Sequence, residues 1–123
     1  MRYLTLFFLL ISIAAFATDN YPKNPDIDVQ HYRFDITLSD ETDEIKCTAT
    51  IEILLKKKDI RQVRLDLTNA SNGKGMTVSA ITQNGKQLTY THLKNELLIT
   101  LANTSQAGEH IRHRAGEGGF RVL

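Results

Sequence analysis

The feature that most constrains this chain is its longest period-two pattern. Ile45, Cys47, Ala49, Ile51, Ile53 and Leu55 alternate with Lys46, Thr48, Thr50, Glu52 and Lys56. Successive side chains of a strand point to opposite faces, so such alternation predicts a strand with one buried and one wetted side. A helix would scatter these apolar residues around its circumference. Polar turns bound the segment, Ser39–Glu44 before it and Lys56–Asp59 after it.

The same period recurs. Tyr32, Phe34, Ile36 and Leu38 alternate with His31, Arg33, Asp35 and Thr37, which predicts a first strand from His31 to Leu38 with the aromatic side buried. Val63, Leu65 and Leu67 mark a third, with Arg64 and Asp66 outward. Residues 68–75 are rich in Asn, Ser and Gly and form a loop. Met76–Gln83 and Lys86–Leu93 flank Asn84-Gly85, a strong hairpin signal. Lys94-Asn95 turns the chain into a last strand at Glu96–Leu101. That gives about six short strands with turns between them and no segment of helical period, which predicts an all-β, antiparallel β-sandwich.

The first seventeen residues belong to another category. Arg2, an apolar run from Leu4 to about Ala14, and small residues ending in Ala15-Phe16-Ala17 form a secretory signal peptide with cleavage before Thr18. The run is short of the ~20 residues needed to span a bilayer, so no stable membrane anchor is expected. Export to a periplasmic or extracellular location would leave a mature chain of roughly 105 residues, the size of one domain. Net charge is +1, which gives no electrostatic basis for binding nucleic acid.

No residue pattern carries chemistry by itself. Cys47 is the only cysteine; lying on an apolar strand face, it is read as a buried small hydrophobe. His110 and His113 stand three apart, beside Arg112 and Arg114, which would repel a cation. His31 falls on a wetted face, and His92 has no partner suggested by spacing. Asp26 and Asp28, near Asn24, lack the loop spacing of a calcium site. Asn69-Ala70-Ser71 fits a glycosylation sequon, and the Gly-Glu-Gly-Gly at 116–119 lacks the strand and helix of a phosphate loop. No catalytic, cofactor-binding or metal residue is expected.

In combination the elements are more specific. Asp28 and Tyr32 at the opening of the first strand, Ala49 with Ile51, Leu65-Asp66-Leu67, and the Asn84-Gly85 hairpin resemble the start of the aminopeptidase-N-like zinc metallopeptidases. The resemblance covers about residues 20–109. It implies the family's N-terminal β-sandwich, which packs beside the catalytic domain and helps wall the substrate cavity. Pro22 and Pro25, which fix φ, would hold the lead-in to that sandwich extended. The parent activity is removal of N-terminal residues from peptides. In the family, zinc is held by a His-Glu-x-x-His helix and a later Glu, and a Gly-x-Met-x-Asn strand grips the substrate; this chain contains neither motif. No site residue can be carried over, and no cofactor is expected in this chain.

The organisation expected from sequence is therefore a signal peptide at 1–17, an incomplete sandwich at 18–109 and a divergent tail at 110–123 outside the domain. That tail places two His and two Arg within five residues and then three Gly within four, as a shifted reading frame would. The sequence thus reads as an inactive fragment of an aminopeptidase, with the catalytic domain as its partner in the family. It would expose apolar surface and self-associate. The alternative is a stand-alone exported sandwich that binds a protein, peptide or glycan.

Overall fold

A computed structural model describes residues 24–115 and the backbone of 120–122. The expected signal peptide and Pro22 lie outside the described residues. Ten strands and no helix occupy the described part: β1 (Ile27–Thr37), β2 (Ile45–Leu55), β3 (Gln62–Asp66), β4 (Met76–Val78), β5 (Ile81–Gln83), β6 (Lys86–Gln87), β7 (Tyr90–Leu93), β8 (Glu96–Thr100), β9 (Glu109–Ala115) and β10 (Phe120–Val122). Every strand pairing is antiparallel. The fold is the expected β-sandwich.

β2, the segment of clean alternation, is the spine of the larger, seven-stranded sheet. One edge of it pairs with β1 along its length, from Ile27 opposite Leu55 to Thr37 opposite Lys46. The other edge pairs with β9 at Thr50–Leu55 and β10 at Ile45–Cys47, which therefore lie end to end. β5 and β4 continue outward from β9 and β10, and β6 closes the sheet. The second sheet has only three strands, β3-β8-β7.

Between the sheets the alternating residues form a core in two linked parts. Ala49, Ile51, Ile53 and Leu55 of β2 pack with Val63, Leu101, Ile111 and Ala115. Ile81, Leu88, Leu97 and Ile99 make the second part, and Leu65, Leu67 and Val78 touch both. Fully burying one such aliphatic side chain contributes about 1.5–3 kcal/mol.

The two-residue turns follow their sequence signals. Asn84 and Gly85 have φ of 51° and 78°, and Lys94 and Asn95 of 53° and 63°, the left-handed pair that a tight hairpin requires. Gln83 faces Lys86 across the first turn and Leu93 faces Glu96 across the second.

Four expectations are corrected. β1 starts four residues before His31, because a bulge between Val29 and His31 shifts the alternation by one. Ile27 and Val29 then point inward in one phase, and Tyr32, Phe34 and Ile36 in the other. The described lead-in, Asn24 to Asp26, is a turn and not an extended segment: the Asn24 side-chain oxygen accepts the Asp26 N–H at 3.0 Å.

Each of the two expected strands around Asn84-Gly85 is divided. β4 ends at Val78, and β5 begins at Ile81. After β6 the chain passes through buried Leu88 from the large sheet to the small one, where β7 pairs with β8. Leu88 N–H donates to the Ile81 carbonyl at 2.8 Å, and Thr100 N–H to the Thr89 carbonyl at 2.9 Å, so the crossing keeps its backbone groups paired.

The largest correction concerns the tail. Glu109–Ala115 is a strand inside the large sheet, paired with β2 on one side and β5 on the other. Ile111, His113 and Ala115 are buried, while His110, Arg112 and Arg114 face solvent. The basic residues lie in phase on the wetted face, so their number did not weigh against a strand. The sandwich therefore does not end near Leu101 or at Glu109.

Candidate functional site

The alternation of β1 places Tyr32, Phe34 and Ile36 on the inner side of the large sheet, because paired residues share a face and these stand opposite Ile51, Ala49 and Cys47. They were expected to be buried. They are 49%, 56% and 61% exposed, and Leu38 just beyond is 72% exposed. β1 is covered only at its start, where Ile27 and Val29 are half-buried against the core, and lies open from Tyr32 onward. Tyr32 and Phe34 stack on one another, ring centroids 5.9 Å apart and planes 8° from parallel, which shields only one face of each ring.

The uncovered strip forms one wall of a groove of about 370 Å³ on the open side of the sandwich. Ile45, Cys47, Ala49 and Ile51 of β2 make its floor, and Leu65, Leu67 and Leu97 of the small sheet its far wall. Met76 also lines it, and Asp66 is the only charged lining residue among the described residues. Sites for small ligands combine an apolar lining with a few convergent polar groups. Among the described residues that line the groove, no such polar set is assembled. Cys47 sits half-buried in the floor, and burial, then the Asp35 carboxylate, push its thiol up, away from the reactive thiolate.

The other residues singled out in the sequence are dispersed. His110 faces solvent and His113 the core, because residues three apart on a strand point to opposite sides. They cannot ligate one ion together. His113 is 1% exposed, neither ring nitrogen has a hydrogen-bond partner, and burial lowers its pKa to about 4. His92 donates from Nε2 to the Leu67 carbonyl at 2.8 Å, and His31 is exposed on the wetted face of β1. Asp26 forms an ion pair with Lys57 at 2.5 Å, and Asp28 accepts from Gln30 at 2.9 Å. Among the described residues no three His, Cys, Asp or Glu side chains gather into a metal-binding group. The described residues do not fit the zinc that the resemblance would bring. The 116–119 segment lies outside the described residues.

Two structural residues gave no warning in the sequence. Ser105 is 1% exposed; its Oγ accepts the Ile60 N–H at 2.9 Å and donates to the Lys57 carbonyl at 2.7 Å. Asn69, noted only for a sequon, donates from its side-chain amide to the His92 carbonyl at 3.1 Å. Gly75 must be glycine: φ is 109° and an added Cβ would lie 2.2 Å from the Asn69 carbonyl oxygen. Only the folded loop brings these groups together.

No family model and no curated protein matches the sequence. Solved structures do match the fold. A mutant of a two-domain M1 zinc metallopeptidase bound to L-arginine superposes with a TM-score of 0.65 at 22% identity, over 81% of this chain and 21% of that one. A mutant M1 zinc metallopeptidase from Deinococcus radiodurans, bound to a Tyr-Ser-Ala substrate, gives 0.65 and 22%, over 80% of this chain and 21% of its own. An M1 zinc metallopeptidase from the same organism gives 0.64 and 22%, over 80% and 20%. This chain thus spans about a fifth of the length of these structures. The likeness is one of fold.

Proposed function

We propose that this chain is the non-catalytic N-terminal β-sandwich of an exported aminopeptidase-N-like zinc metallopeptidase, inactive in peptide hydrolysis by itself. Export rests on the apolar N-terminal stretch and its Ala15-Phe16-Ala17 site. What supports the peptidase reading is the fold shared with M1 zinc metallopeptidases, over about a fifth of their length, together with the order of short motifs in the sequence. The observation that carries the non-catalytic role is the groove beneath Tyr32, Phe34 and Ile36. It offers apolar area to a packed neighbour and no set of groups able to activate water or hold a metal. A stand-alone binding module would need polar groups in that groove to orient a ligand, and among the described residues Asp66 is the only charged one there.

The test is an aminoacyl reporter assay on the purified chain with and without zinc, alongside elemental analysis after dialysis. Neither turnover nor stoichiometric zinc is expected. Zinc-dependent hydrolysis that survives removal of contaminating peptidases would overturn the reading. Mass spectrometry of exported material should find Thr18 as the first residue.

A further inference from the structure

β1 is paired on one side only: β2 occupies one edge, and among the described residues no strand takes the other. The bulge bends its start, so His31–Thr37 remains as seven regular residues of free edge. Free edges are usually blunted by Lys, Pro, a bulge or an inward-pointing charge. The bulge lies before this segment, which has no Lys, no Pro and no inward-pointing charge. Its inner side carries Tyr32, Phe34 and Ile36, and its outer side carries Arg33 and Asp35, which form an exposed ion pair at 3.1 Å.

We propose that this edge binds a second copy of the chain, β1 against β1, antiparallel about a twofold axis at Phe34. The register follows from charge. Centred on Phe34, Arg33 of each copy faces Asp35 of the other, Phe34 faces Phe34, and Tyr32 faces Ile36 twice. The overlap runs from His31 to Thr37, the whole regular segment and none of the bulge. Centring one residue earlier puts Arg33 against Arg33 and draws the bulge into the pairing. Centring one later opposes Asp35 to Asp35 and shortens the overlap. Registers centred between residues set the apolar side of one copy against the wetted side of the other. A twofold contact requires a self-complementary patch, and an Arg and an Asp placed symmetrically about an aromatic residue supply one. The inference does not depend on the metallopeptidase reading.

The experiment is sedimentation velocity on the purified full chain and three variants, with far-UV circular dichroism to check folding. Wild type should dimerise reversibly. Arg33→Asp sets acids opposite acids and Asp35→Arg sets cations opposite cations, so each should weaken the dimer about tenfold or more. The double variant restores opposite charges and should recover the dimer. Mixing the two single variants should yield a heterodimer at concentrations where neither associates alone. A monomeric wild type at every soluble concentration would overturn the proposal. So would association that both single variants leave unchanged, which would place the contact in the apolar groove or the N-terminal stretch, or a mixture in which no heterodimer forms.

Discussion

Asn69 and Asn95 each donate a backbone N–H to the other's side-chain oxygen, Asn69 to Asn95 at 2.9 Å and Asn95 in return. One residue opens the Gly-rich loop and the other turns the β7–β8 hairpin, so the exchange fastens the loop to the small sheet. Asn69 also donates to the His92 carbonyl, and His92 to the Leu67 carbonyl. Asn69→Ala removes one acceptor and one donor and leaves the Asn95 N–H and the His92 carbonyl without these partners. The expected loss is about 2 kcal/mol of unfolding free energy, read from urea denaturation. An unchanged midpoint would show that water replaces both contacts at no cost.

Ser105 does the equivalent work at the other end of the sandwich. Its hydroxyl and backbone bind the Lys57–Ile60 turn through four hydrogen bonds, counting the Asp59 N–H to the Ser105 carbonyl and the Ser105 N–H to the Ile60 carbonyl. Ser105→Ala should cost about 1–3 kcal/mol, because the Ile60 N–H and the Lys57 carbonyl lose their partner in a closed site. Ser105→Thr, which keeps the hydroxyl, should cost less if the extra methyl fits. Thermal melts of the pair separate the hydroxyl from its packing.

His113 makes stability depend on pH. Its folded pKa is about 4, against about 6.5 in an unfolded chain, so the unfolded state binds the proton first as pH falls. Its effect on stability is absent above about pH 6.5. Destabilisation grows as pH falls toward 4 and is constant below that, reaching on the order of 3 kcal/mol from this group. His113→Leu should flatten the profile between pH 6.5 and 4, and it also removes two ring nitrogens that lack hydrogen-bond partners. A variant whose stability falls with pH as steeply as wild type would show that other groups dominate that window.

The groove and the core should respond oppositely to polarity and size. Ile53 is fully buried, and Ile53→Ala should cost about 2–5 kcal/mol. Ile36 is 61% exposed, so Ile36→Thr should cost under about 0.5 kcal/mol and reduce the binding of an apolar dye such as ANS. Undiminished dye fluorescence would mean that the dye reads another surface.

Legibility in the sequence followed periodicity. The alternation of Ile45–Leu55 fixes β2 to the residue, and the Asn84-Gly85 and Lys94-Asn95 turns stand where their conformational preferences place them, since period and turn chemistry are local properties. Local patterns failed where a single residue interrupted them. Gln30 at the bulge hid the first turn of phase in β1, and His113, a polar residue on an inward position, concealed β9 within a run that looked merely basic.

What the sequence determined by itself is the all-β class, the order of most strands and the faces on which their apolar side chains lie. Tertiary structure decided which of those faces is covered. Alternation assigns Phe34 and Ile53 alike to an inner face, yet Ile53 is sealed and Phe34 is 56% exposed. The difference is where the second layer reaches: it covers β2 and the start of β1, where Ile27 and Val29 pack against the core, and leaves β1 open from Tyr32 onward. Burial depends on a second layer that the strand's own residues cannot specify, because that layer is built from contacts distant in the chain. The groove arises where that layer stops, and the free edge of β1 from the end of strand pairing in the large sheet, so both are set by contacts distant in the chain.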